Sequence, residues 1–214
     1  SMSTTSEDDD LEAPTQKWRG GGGGGGHGGR GGSAGFVTSA LNMENDPFST
    51  INGLGGAAYG SIFRPSNWGS GGGAAIPSHG TAGGAGGGCI YITAKSVVLN
   101  GQISCNGVAG GASGNRNDIN EEGSASLGAA AGGGAGGSVW IELSGGDWNG
   151  TGILTATGGR GGGDGTVYRR SGGGSGGRIA VSLNLPGSRN FNGSVYARGG
   201  ASCDDARGGV VFAA

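Results

Sequence analysis

Three stretches of the chain alternate apolar and polar positions with a period of two, and each follows a Gly-Gly pair. They begin Cys89-Ile90-Tyr91-Ile92-Thr93-Ala94, Ser138-Val139-Trp140-Ile141-Glu142-Leu143 and Arg178-Ile179-Ala180-Val181-Ser182-Leu183. Successive side chains of an extended strand point to opposite faces, so this period predicts strands. One face would hold Ile90, Ile92 and Ala94, then Val139, Ile141 and Leu143, then Ile179, Val181 and Leu183. The other would hold Tyr91 and Thr93, Trp140 and Glu142, Ala180 and Ser182. The starts are spaced by 49 and then 40 residues, and a shorter echo begins at Gly208. Recurrence at such spacings marks stacked repeats.

Each unit continues alike. A bulky apolar residue precedes Asn-Gly at Leu99-Asn100-Gly101, Trp148-Asn149-Gly150 and Phe191-Asn192-Gly193. Asn-Gly tolerates positive φ and signals a tight turn. A short second strand follows, with Ile103 and Cys105, Leu154 and Ala156, Val195 and Ala197 inward, and Ser104, Thr155 and Tyr196 outward. One strand pair cannot bury its apolar face in water. Three or four in register can, around a narrow column of Ile, Val, Leu and Ala. The expected fold is therefore all-β: a glycine-rich, β-solenoid-like stack of short strands. Its Gly-rich connections would be partly polyproline-II-like, since glycine allows close backbone packing and unusual φ/ψ.

The flanks repeat less clearly. Residues 1–19 read as an acidic flexible tail, marked by Asp8, Asp9 and Asp10. Residues 20–88 read as a Gly-rich N-terminal cap or irregular first rung, forming one domain with the three to four repeated units of 89–214. Pro47 and Pro65 argue against central strands near them.

Composition sharpens the picture. The chain has 59 Gly in 214 residues and only 34 Leu, Ile, Val and Phe, which by itself suggests low complexity. The clustering of the apolar residues and a net charge of only −2 argue for a folded chain instead. With five Pro and no sustained Gly-X-Y register, collagen is excluded. No apolar run is long enough to span a bilayer, so no membrane insertion is expected, and no signal peptide is visible in this chain. Three Cys, at 89, 105 and 203, allow one bridge or three free thiols; no spacing suggests zinc.

The segments "GHGGRGG", "AAYGSIFRPSNWGSGGG", "GGAGGGCIYITAKSVVLNGQISCNG", "GGGAGGSVWIEL" and "GGGSGGRIAVSL" together resemble the glycine-rich repeat regions of large extracellular proteins of invertebrates, protists and some bacteria. The similarity runs from about residue 20 to 214. It implies a β-solenoid-like fold and a secreted or cell-surface structural role. It brings no catalytic residues with it.

Candidate chemistry is sparse. Gly20–Gly26 lacks the Lys-Ser/Thr of a phosphate loop. Arg-Gly-Gly occurs at Arg19, Arg30, Arg160, Arg198 and Arg207, a pattern found in RNA-binding segments, but 13 basic residues face 15 acidic ones, so no nucleic-acid partner is expected. His27 and His79 have no nucleophile and carboxylate beside them in sequence. Glu121-Glu122 and Asp204-Asp205 read as solvated loop charges, so no metal and no cofactor is expected. Outward Thr93, Thr155 and Thr157 alternate with Glu142, Ser104, Tyr196 and Arg198, too irregular for an ice-binding face. Asn149 and Asn192 match the N-glycosylation acceptor pattern, although both also sit at the repeated turn. The expectation is a non-enzymatic, secreted structural protein that self-assembles into a homo-oligomer, scaffold or filament and templates a mineral such as silica. The alternative is a glycan- or surface-binding adhesin whose exposed aromatic and Arg face would be Tyr91, Trp140, Tyr196, Arg178 and Arg198.

Overall fold

The computed structural model of the protein describes residues 21–34, 53–75, 81–112, 130–163, 171–184 and 189–201, and the backbone of 210–213. Eight strands occur in chain order: β1 (Cys89–Val98), β2 (Gln102–Ser104), β3 (Ser138–Gly150), β4 (Ile153–Thr155), β5 (Arg178–Leu183), β6 (Arg189–Phe191), β7 (Ser194–Tyr196) and β8 (Val210–Ala213). There is no helix among the described residues. Two parallel sheets result, one ordered β1-β3-β5-β8 with β6 also on β3, the other β2-β4-β7. The all-β expectation holds.

The register follows from the apolar pattern. Ile90 pairs with Val139 and Val139 with Ile179, while Ile92 pairs with Ile141 and Ile141 with Val181. In the second sheet Ile103 pairs with Leu154 and Leu154 with Val195. A slip of one residue would turn every apolar side chain outward, so burial of one face fixes the pairing. The inward rows of both sheets meet in one core, in which Val139, Ile141, Leu143 and Leu154 are fully buried and Ile90, Ile92, Ile103 and Val195 pack at its margin.

The turn register differs from the sequence expectation. Ala94 pairs with Leu143, but Ser96 pairs with Asp147, so β3 bulges by two residues over Ser144-Gly145-Gly146. Gly146 takes φ +83 there, in the left-handed region that a side chain resists. Beyond the bulge Leu99 lies opposite Gly150, not Trp148, because its N–H donates to Asn149 O and its carbonyl accepts from Gly152 N. Trp148 pairs instead with Val97 and Arg189. The Asn-Gly segments are corners between the two sheets and not hairpins. Asn100 has a different use there: its Oδ1 accepts the Thr151 N–H of the next rung at 3.3 Å.

The strands run directly into a block built from glycine. Segment 130–137 sits at its centre and bonds to six neighbours. Its N–H groups point three ways in turn: 131, 134 and 137 donate to Gly111, Val108 and Cys105; 132 and 135 to Gly73 and Ser70; 133 and 136 to Gly172 and Ser175. Its carbonyls accept from Gly22 and Gly25, from Gly84 and Gly87, and from Gly159 and Gly162. A bonding direction that returns every third residue has the period of polyproline II, whose backbone makes no bonds within itself and leaves every group for its neighbours. Burying so much backbone requires that each polar group be paired, and here it is paired between segments.

Space, more than φ, explains the glycine. A Cβ on Gly24 would lie 1.9 Å from Gly173 O, one on Gly134 2.0 Å from Ala85 O, and one on Gly172 1.8 Å from Gly32 O. Only Gly60, Gly146, Gly150 and Gly163 take positive φ among the described residues. Residues 22–27 are buried within this block and bond to segments 130–133 and 172–175. The segment read from sequence as a cap or irregular rung is thus interior at this point.

Candidate functional site

Two surfaces carry the side chains singled out in the sequence, and they lie on different sheets. On the outward face of β1 and β3, the Tyr91 and Trp140 rings stack at 4.2 Å with an interplanar angle of 28°, as the pairing of residues 91 and 140 dictates. The Tyr91 hydroxyl donates to Glu142 Oε2 at 2.6 Å. Tyr91 is 52% exposed. Trp140 is half-buried, and its indole N–H is buried without a partner among the described residues.

On the outward face of β7, the Arg198 guanidinium lies over the half-buried Tyr196 ring at 5.1 Å from its centroid. Tyr196 ends the row Ser104–Thr155–Tyr196. Thr155 Oγ1 donates to Ser104 Oγ at 3.1 Å, so hydroxyls align over two rungs and are then interrupted by the phenol. No continuous hydroxyl row crosses this sheet.

Arg178 departs from expectation. It is only 6% exposed. Strand alternation does point it outward, but segment 59–68 lies over the strand starts and covers it. Its Nε and Nη2 donate to Tyr59 O at 3.0 and 2.9 Å, and Nη2 reaches His27 O at 3.4 Å. Ser138, its partner in register, donates through Oγ to Asn67 O at 2.6 Å. Arg178 is a clasp for a surface loop.

His27 forms the other half of that clasp. The ring is fully buried, and Nδ1 lies 2.8 Å from Gly136 O. A carbonyl only accepts, so Nδ1 carries the proton. Nε2 is buried without a partner among the described residues. Burial holds the imidazole below its ordinary pKa, and the Arg178 charge adds to this against the opposing pull of the Gly136 bond. Glycine would continue the backbone period here; His27 uses its side chain to reach the carbonyl that the period assigns to residue 28, whose own N–H goes to Gly176 O. Nothing in the sequence around His27 signals this role except a large side chain inside a glycine run.

The remaining candidates are readily placed. The amides of Gly22, Gly24, Gly25 and Gly26 are spent on Ala130 O, Gly32 O, Gly133 O and Ser70 Oγ, so this glycine run cradles its own chain. Cys105 is buried as a small core side chain, and burial together with the nearby Cys89 pushes its thiol up to about 11. Cys89 is also raised by burial. Of the two glycosylation acceptors, Asn192 is exposed, whereas the Asn149 side-chain oxygen is buried without a partner among the described residues. No group of three or more His, Cys, Asp or Glu converges among the described residues. Arg19, His79, Glu121, Glu122, Cys203, Asp204, Asp205, Arg207, Pro47 and the acidic tail lie outside the described residues.

No protein-family model matches the chain, and no curated protein or solved structure does either.

The feature with the clearest capacity to act is an edge. β1 pairs with β3 on one side and with no other described strand. The inward residues Ile90 and Ile92 of this outermost strand are half-exposed, whereas Val139 and Ile141 one rung deeper are fully buried. Residues 81–112 contain one charged side chain, Lys95, and no proline. Monomeric proteins ordinarily guard such an edge with charge, proline or a covering segment.

Proposed function

We propose that the chain is a non-enzymatic structural module of an extracellular scaffold, a glycine-rich solenoid-like stack that self-associates through its β1 end. The observation that carries this reading is the β1 edge, which no other described strand covers: a ten-residue strand with half-exposed inward residues and a single lysine. An exposed edge offers a row of backbone donors and acceptors to a second chain, and another copy supplies strands of matching period. The extracellular assignment rests on the resemblance to secreted glycine-rich repeats and on the exposed Asn192 acceptor.

Sedimentation velocity over a concentration series, with electron microscopy of the heaviest fractions, tests the reading. Mass should grow with concentration, and Tyr91→Lys or Thr93→Lys, both on the exposed outward face of β1, should arrest growth while leaving the melting transition in place. A chain that stays monomeric at every concentration overturns it.

The stacked Tyr91–Trp140 pair beside Glu142 supports a second reading, a glycan-binding adhesin. An exposed aromatic face with a neighbouring carboxylate is suited to a sugar ring. Carbohydrate-array binding that disappears in Tyr91→Ala would favour it over assembly.

A further inference from the structure

Five of the nine large exposed apolar side chains among the described residues, Leu54, Tyr59, Ile62, Phe63 and Trp68, fall within fifteen positions of the chain. Phe63 is 57% and Trp68 73% exposed. These residues sit on or beside loop 59–68, which is held at its base. Tyr59 N–H donates to His27 O, Tyr59 O accepts two bonds from Arg178, the Tyr59 hydroxyl donates to Trp68 O, and Asn67 O accepts from Ser138. Gly60 at φ +86 makes the sharp entry.

We propose that loop 59–68 is an interfacial membrane anchor that seats Ile62, Phe63 and Trp68 in the headgroup region of an anionic bilayer. Two properties favour lipid over a protein groove. First, part of the tip's backbone is satisfied within the tip itself: the Phe63 and Arg64 N–H groups both donate to Ser61 Oγ, at 3.3 and 3.2 Å, and Pro65 has no N–H to satisfy. Entry into an apolar phase demands this of a backbone, whereas a protein partner could supply the missing acceptors itself. Second, Arg64 is the only charged residue between 53 and 75 and is exposed. A cation beside aromatic side chains suits the phosphate level of a membrane, where Trp and Tyr also collect. This is insertion of a loop tip, not a span; no helix among the described residues is long and apolar enough to cross. It amends the expectation of no membrane insertion and is independent of the β1 edge.

The test is flotation of the whole chain with vesicles of phosphatidylcholine alone and of phosphatidylcholine with phosphatidylserine. The expected result is flotation with the anionic vesicles, a blue shift of emission that Trp68→Phe removes, and roughly fivefold weaker binding in Arg64→Gln, the usual contribution of one basic residue near such a surface. Phe63→Asp and Trp68→Ser, both at exposed positions, should each abolish flotation with the fold intact by circular dichroism. Absence of flotation with either vesicle, or flotation indifferent to both variants, overturns the proposal. Loss of self-association in Phe63→Asp without any vesicle binding also overturns it, and assigns the loop to a protein contact.

Discussion

Replacing Gly134 by alanine puts the glycine block to its most direct test. The new methyl would lie 2.0 Å from Ala85 O and 2.4 Å from Ala85 C, both backbone atoms that cannot swing aside. Ordinary contact would require the neighbouring segment to retreat by about 1.4 Å. Two bonds join the segment around Ala85 to segment 130–137 at this point: Gly84 N to Gly132 O at 2.8 Å and Gly87 N to Ala135 O at 2.8 Å. A retreat of that size breaks both and leaves buried groups unpaired, at about 1–3 kcal/mol each. The expected loss is about 4 kcal/mol, a large share of the stability of a single domain. Gly88→Ala is the matched control, since a Cβ there meets nothing within 4 Å and φ is not positive. It should leave stability within about 0.5 kcal/mol or raise it slightly. Urea unfolding followed by tryptophan fluorescence measures both. Equal losses in the two variants would refute the claim that absent space, rather than backbone freedom, selects glycine in the block.

Three further outcomes are expected. His27 is held below its ordinary pKa of 6.5, so its contribution to stability is complete above that value and declines as pH falls through it, because the unfolded or opened form takes up the proton more readily than the native one. Protection of the Tyr59 amide, corrected for intrinsic exchange, should therefore fall as pH drops below 6.5, by up to about tenfold per pH unit, and an unchanged value would show that His27 does not gate the loop. Arg178→Met should lose about 3 kcal/mol by orphaning the Tyr59 and His27 carbonyls, and should loosen loop 59–68 in hydrogen exchange before the strands. Cys105→Ala should cost about 1 kcal/mol or less, because Ala156 and Ala197 occupy the same register position in the deeper rungs; a larger loss on thermal melting would mean that the thiol has a further role.

Strand positions were legible because two signals agreed. Alternation at Ile90, Val139 and Ile179 gave the faces, and Gly-Gly lead-ins gave the starts. The corners align differently from the sequence pattern: Asn-Gly at 149–150 imitates Asn-Gly at 100–101, while a two-residue bulge at Ser144–Gly146 shifts the true partner of Asn100 to Thr151. A bulge lacks any apolar signature, so pattern matching slides past it. The sequence points Arg178 to an outward face, but alternation tells which side of a sheet a residue occupies and nothing of what covers that side. The covering loop holds no periodic pattern, and its docking depends on backbone carbonyls of Tyr59 and Asn67, which no sequence displays. The glycine block was legible only as composition; its order resides in bonds between segments far apart in the chain.

Around segment 130–137, three neighbours run parallel and three antiparallel, with bonds of the same length. A rod whose amides look outward every third residue is indifferent to the polarity of the rod beside it. The chain can therefore leave this lattice, travel any distance and re-enter from either end without a penalty in pairing. Sheets constrain the order in which a polypeptide can be threaded; this lattice relaxes that constraint, and makes excursions of arbitrary length and sequence compatible with one unchanging interior.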